Sequence, residues 1–366
     1  MRRNLLALAA IAMVAALSTS VPNAAPSAVE QGTGPAFASI GPLAFGPDGT
    51  LYAADTQGAA IVALDLGAAG AAGAQGTKDI AGIDQQIAAM LGTDAKGITI
   101  TDLAVHPRTH QSYLSVMRGV GAEAKAALFR VDGAGKLELV ATESLKYTKI
   151  ALPNAPDAAP ATGRSNRGQS ITHLAFSNGR VIVAGLSNEE FASKLWSVPY
   201  PFSTADRGTS VEIYHTNHDR VETASPVYAF VPYTINNQPH IIGGYLCTPL
   251  VKFPLADLKA GVKVHGTTIA ELGAGNRPID MVLYKKDGKE FLLMSNTSRG
   301  VMKIPTADFG SAAALTTKVG GTAGIAYETI ATMTGIEQLD LLDAQHSIVI
   351  AKGADGARNL TAVILP

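Results

Sequence analysis

The chain has 366 residues, 29 Lys plus Arg against 30 Asp plus Glu, and a formal net charge of −1. That balance excludes recognition of DNA, RNA or heparin through bulk charge. Charged residues make up only 16% and hydrophobic residues 47%, with 37 Gly and 19 Pro. A disordered chain is therefore also excluded, and there is enough apolar material for one large core or two small ones.

The chain opens with Met1-Arg2-Arg3-Asn4, and Leu5 to Leu17 follow as 13 apolar residues before small ones. A helix of that length spans roughly 20 Å, short of the ~30 Å hydrocarbon core. A basic start, an apolar run and small residues together predict a bacterial-type secretory signal peptide over residues 1–20, with cleavage possible as late as 25. The mature protein is expected to be exported, periplasmic or secreted, without a transmembrane anchor. Cys247 is the single cysteine, so no intramolecular disulfide forms.

From Ile40 onward six segments share one pattern of short apolar strand, turn, second strand, polar break and third strand. Aligned on Leu43, Leu103, Leu174, Tyr228, Met281 and Leu339, the steps are 60, 71, 54, 53 and 58 residues. Repeats of this length with several short strands each predict an all-β fold, a six-bladed β-propeller with four-stranded blades around a central channel. Hairpin turns are expected at Pro47-Asp48-Gly49, Asn178-Gly179 and Asp287-Gly288. More polar fourth strands are expected over 136–140, 210–214 and 266–271. The last unit offers three strands, so the segment before Ile40 is expected to close the ring as its fourth. Residues 21–366 thus read as one propeller domain with a long insertion at about 141–168. That insertion ends in a Pro/Ala-rich loop carrying Arg164 and Arg167. A short surface helix is predicted within 80–91.

In a propeller the inner strand of each blade lines the axis and starts at one mouth of the channel. The residues just before the aligned apolar positions are Pro42, Asp102, His173, Val227, Asp280 and Gln338. Ala44, Ala104, Ala175 and Ala229, two residues on, are small enough for a crowded axis. Asp102, His173 and Asp280 are therefore predicted to converge on one mouth. Two carboxylates and an imidazole can bind a divalent cation or orient a water. The second strands end in Asp55, Asn188, Cys247 and Asn296, which form a second candidate ring. A Cys247 thiolate beside His173 would favour zinc or copper over calcium; the alternative is a cysteine buried as ordinary packing. His215 and His218, in a His-x-x-His-Asp-Arg run, join Arg164 and Arg167 as candidates for the mouth rim, as metal donors or as an anion-binding edge. Trp196 reads as core.

The first unit, GPLAFGPDGTLYAADTQGAAIVALDL, resembles a blade of the NHL and gluconolactonase-like (senescence marker protein) propellers. That resemblance implies the six-bladed fold, shared by lactonases, lyases, quinone-dependent dehydrogenases and pure binding modules. It also implies a divalent metal at the mouth held by acidic and Asn side chains. Asp102 and Asp280 match that set; His173 is a different residue type, and Pro42 stands where the first unit would carry an acid.

No GxGxxG, GxxxxGK[ST], GxSxG, HExxH or CxxC occurs, so nucleotide, serine-hydrolase and zincin chemistry have no support. The functional expectation is an exported propeller that binds a small molecule, a metal ion or a partner protein at its channel mouth. The alternatives are a metal-dependent lactonase or esterase-like hydrolase, with His173 as base, and a scaffold with no small-molecule site.

Overall fold

The computed structural model describes residues 27–67, 73–161, 163–247 and 249–366. The predicted signal peptide lies outside the described residues. Among these residues no helix is long and apolar enough to cross a membrane.

Six mainly antiparallel sheets form the blades of a ring. Numbered in chain order, their inner strands are Leu43–Phe45, Ile98–Val105, His173–Ser177, Ala229–Ile235, Pro278–Lys286 and Ile336–Leu341. All six units found by repeat are present. Each inner strand pairs antiparallel with the second strand of its blade, through two-residue turns in blades three, four and five. At Asn178-Gly179 and Asp287-Gly288 both turn residues have positive φ (50° and 72°, 51° and 73°). That conformation matches the right-handed twist of the flanking strands and suits Asn, Asp and Gly. Asn236 and Asn237 do the same in blade four, at φ 49° and 61°.

Strands buried on both faces send alternate residues to opposite neighbours. In blade one Leu51, Ala53, Val62 and Leu64 pack with Tyr113 and Leu128 of blade two. Tyr52, Ala54, Ile61 and Ala63, one residue out of phase, pack with Val181, Val183 and Trp196 of blade three. Further apolar layers join blades three and four, four and five, and five and six. The sixth, with Leu114, Val116 and Phe129 against Ile348, Ile350 and Leu360, joins blade two to blade six. Around the ring the order is therefore two, one, three, four, five, six, and back to two.

This order corrects the expected closure. After the third strand of blade one the chain crosses to its far side and builds blade two, ending in Leu137–Leu139. It then returns as Lys146–Ala151 to pair with Ala60–Asp65 as the fourth strand of blade one. Part of the stretch predicted as an insertion, residues 146–151, is thus a blade strand. The segment before Ile40 does not complete blade six: Val29–Thr33 pairs with Lys146–Ala151 as a fifth strand on the outer edge of blade one. The outer edge of blade six instead receives Ile80, bridged to Leu360, followed by the helix Ile83–Met90, whose Ile83 and Ile87 are buried between blades two and six.

Candidate functional site

The inner strands begin at a cavity of about 790 Å³. Asp102, His173 and Asp280 all line it, and Asn296 to Ser298, in the loop after the second strand of blade five, line it from the same side. Blades two, five and six each carry a β-bulge next to the channel, between Ile100 and Asp102, Pro278 and Met281, and Ile336 and Gln338. A bulge re-aims the side chains around it, and here it stands beside Asp102 and Asp280.

Three carboxyls, buried at Asp102 and Asp280 and half-buried at Asp340, accept backbone N–H groups from the neighbouring blade. Asp102 Oδ2 accepts from Leu43 at 2.6 Å, Asp280 Oδ2 from Leu339 at 2.8 Å, and Asp340 Oδ2 from Val105 at 2.7 Å. Burial pushes the Asp102 carboxyl up to about 7, with the nearby Asp340 charge adding to the rise and the Leu43 and Leu103 N–H groups opposing it. Burial likewise raises Asp340 to about 6. Asp280 stands well above the usual carboxylate range, through burial first and the Asp102 charge second. These groups repel one another when ionised, so near neutrality protons are shared among them.

His173 packs edge-on against Phe230, ring centroids 4.8 Å apart, and its Nδ1 is buried without a hydrogen-bond partner. Burial lowers its pKa to about 4. The imidazole is neutral at pH 7, the form that can accept a proton, but at this pKa it is a weak base.

The other expected residues separate. Asn296 lines the cavity, but its amide is engaged, accepting from Asn276 Nδ2 at 3.0 Å and donating to Met294 O and Gly300 O. Asp55 is outside the cavity lining; it accepts the N–H groups of Ala38, Ser39 and Gly58 and pairs with Lys149 at 3.5 Å. Asn188 and Arg164 are exposed. Arg167 donates to Gln57 O and Pro156 O and so pins the loop that was expected at the rim. Cys247 is not among the residues lining the cavity. One ligand atom from each of His215, His218 and Cys247 lies within 4.8 Å of the others, between blades three and four.

Sequence reasoning missed three groups. Asp340 sits two residues beyond Gln338, in the register where four other blades carry alanine. Arg277 directly precedes the inner strand of blade five; its guanidinium carbon lies 5.2 Å from the ring centre of Tyr228. Both Arg277 and Tyr228 line the cavity and also a neighbouring groove of about 1300 Å³. Arg277 is exposed, and among the described residues it has no carboxylate within salt-bridge distance. Arg358, by contrast, is paired with Glu337 and Asp84.

No family model and no curated protein matches this chain. Solved structures to which it is similar include the PQQ-bound aldose sugar dehydrogenase of Streptomyces coelicolor, at 11% identity and TM-score 0.38, over 94% of this chain and all of that one. A putative oxidoreductase (glucose dehydrogenase) from Thermus thermophilus matches at 13% identity and TM-score 0.29, over 92% of this chain and all of that one. Virginiamycin B lyase from Staphylococcus aureus matches at 7% identity and TM-score 0.34, over 93% of this chain and all of that one. At these scores the likenesses carry no functional argument, and the six-bladed architecture rests on this chain's own sheets.

Proposed function

We propose that this chain is an exported binding propeller that takes a small hydroxylated acid in the mouth of its central channel. The single observation behind this reading is the pairing of Arg277, a guanidinium with no carboxylate within salt-bridge distance among the described residues, with a polar cavity lined by Asp102 and Asp280. A guanidinium without a carboxylate partner, oriented by an aromatic face, suits a ligand carboxylate. Buried carboxyls whose pKa values are raised, Asp102 to about 7 and Asp280 well above the usual range, can both donate and accept hydrogen bonds to hydroxyl groups. About 790 Å³ is the size of a small-molecule site. The basic, apolar and small-residue order of residues 1–25 supports export, and N-terminal sequencing of the protein from a cell-envelope or culture fraction tests it.

The binding test is a thermal-shift screen of the purified mature chain against hydroxylated carboxylic acids such as aldonates and uronates, with Arg277→Ala in parallel. The expected result is stabilisation by at least one acid and its loss in Arg277→Ala. Neutral sugars that stabilise both proteins equally would contradict the role of Arg277.

A further inference from the structure

We propose a second site, separate from the channel mouth, in which His215, His218 and Cys247 hold a zinc-class transition-metal ion between blades three and four. One nitrogen of each imidazole and the Cys247 sulfur lie within 4.8 Å of one another; donors around a tetrahedral ion with bonds of about 2.0–2.3 Å stand roughly 3.3–3.8 Å apart, so the three atoms need draw in only slightly to hold one. The two histidines sit at the end of the fourth strand of blade three. The turn that follows, closed by the His218 N–H to His215 O bond at 3.1 Å, brings their ring centres to 4.0 Å. Cys247 comes from the turn after the second strand of blade four, held by its own N–H donating to Asn276 O at 2.7 Å.

The orientation of the rings is the stronger point. Glu222 receives both of them, His215 Nδ1 on Oε2 at 2.7 Å and His218 Nδ1 on Oε1 at 2.8 Å. A carboxylate that accepts from Nδ1–H fixes the tautomer in which Nε2 carries the lone pair, as the outer shell of histidine-ligated metals does. His215 is 3% exposed, and its Nε2 is buried without a hydrogen-bond partner. A buried imidazole nitrogen normally finds a partner, and His215 is one of the three residues of the cluster that also contains Cys247. Two imidazoles and a thiolate select zinc or copper over calcium and magnesium. Three protein donors leave one tetrahedral position for water or another ligand.

The test uses the full mature chain, stripped with chelator and then loaded with zinc alone or cobalt alone. We expect one zinc retained per chain through gel filtration, and in the cobalt form a near-ultraviolet thiolate-to-metal charge-transfer band. Cys247→Ser should abolish that band and weaken zinc binding at least tenfold. His218→Gln, at a half-exposed position that leaves the core untouched, should weaken it by about 10–100-fold with an unchanged circular dichroism spectrum. Arg277→Ala should leave it unaltered, so that this site and the mouth succeed or fail independently. Failure to retain zinc, or wild-type affinity in either Cys247→Ser or His218→Gln, overturns the proposal.

Discussion

Asp340 Oδ2 accepts the backbone N–H of Val105 at 2.7 Å and so ties the inner strand of blade six to that of blade two across 235 residues of sequence. With Asp280 to Leu339 and Asp102 to Leu43, it makes a run of carboxyl–amide bonds through blades five, six, two and one. Asp102 and Asp280, which line the mouth cavity, therefore also hold the ring shut, and their protonation links ligand chemistry to stability.

The pH dependence follows from that linkage. A carboxyl whose folded-state pKa exceeds its unfolded value of about 3.9 contributes stability below that value and loses it as pH rises through the folded pKa. For Asp102, pushed to about 7, and Asp340, pushed to about 6, the window is about pH 4 to 7. His173, lowered to about 4, acts oppositely between pH 6.5 and 4, so a comparison with a variant is required. Asp102→Asn should flatten the fall of Tm between pH 5 and 8, an effect on the order of a few kcal/mol. Thermal melts of both proteins across that range check it; parallel profiles would contradict it.

His173→Leu should change stability by less than about 2 kcal/mol, because it removes an unpartnered buried nitrogen and keeps the contact with Phe230. Urea unfolding measures the difference. The imidazole C2 proton shift of wild-type His173 should stay flat from pH 8 down to about 5; a midpoint near 6.5 would show a solvated ring instead.

Asp55→Ala should cost about 3–5 kcal/mol, since it strands three N–H groups and the Lys149 ammonium beside them. The loss should appear in denaturant unfolding and leave ligand affinity unaltered wherever the variant is folded. An affinity change at preserved stability would put Asp55 back at the binding site.

Removal of residues 27–33 should lower Tm by only a few degrees, because Val29–Thr33 is a largely exposed fifth strand on blade one. Under closure by the N-terminal segment the same truncation would open the ring. By contrast Trp196→Ala, in the apolar layer between blades one and three, should cost about 3–5 kcal/mol.

The blades were legible because their determinants are local. Alternating apolar residues, the Asn-Gly and Asp-Gly turns and the fourth strands 137–139, 209–215 and 267–272 all arise within a blade. The blade order was not legible. Pairing of Ala60–Asp65 with Lys146–Ala151 spans the whole of blade two, and no local period reports which distant edge a strand will cover. Strand alternation located Asp102, His173 and Asp280 on one cavity but passed over Asp340, outside that lining and in a register read as alanine. It placed Cys247 by its position along one strand, whereas its neighbours His215 and His218 depend on how blades three and four meet.

Ligand binding at the channel mouth is tested most directly by calorimetric titration of the mature wild-type chain with the hydroxylated acid that stabilises it most, repeated with Arg277→Ala. Saturable binding of one acid per chain is expected, falling at least tenfold in the variant while its Tm without ligand is unchanged. Equal affinity in the two proteins, or no saturable binding of any acid in the screen, would contradict a ligand site at the channel mouth.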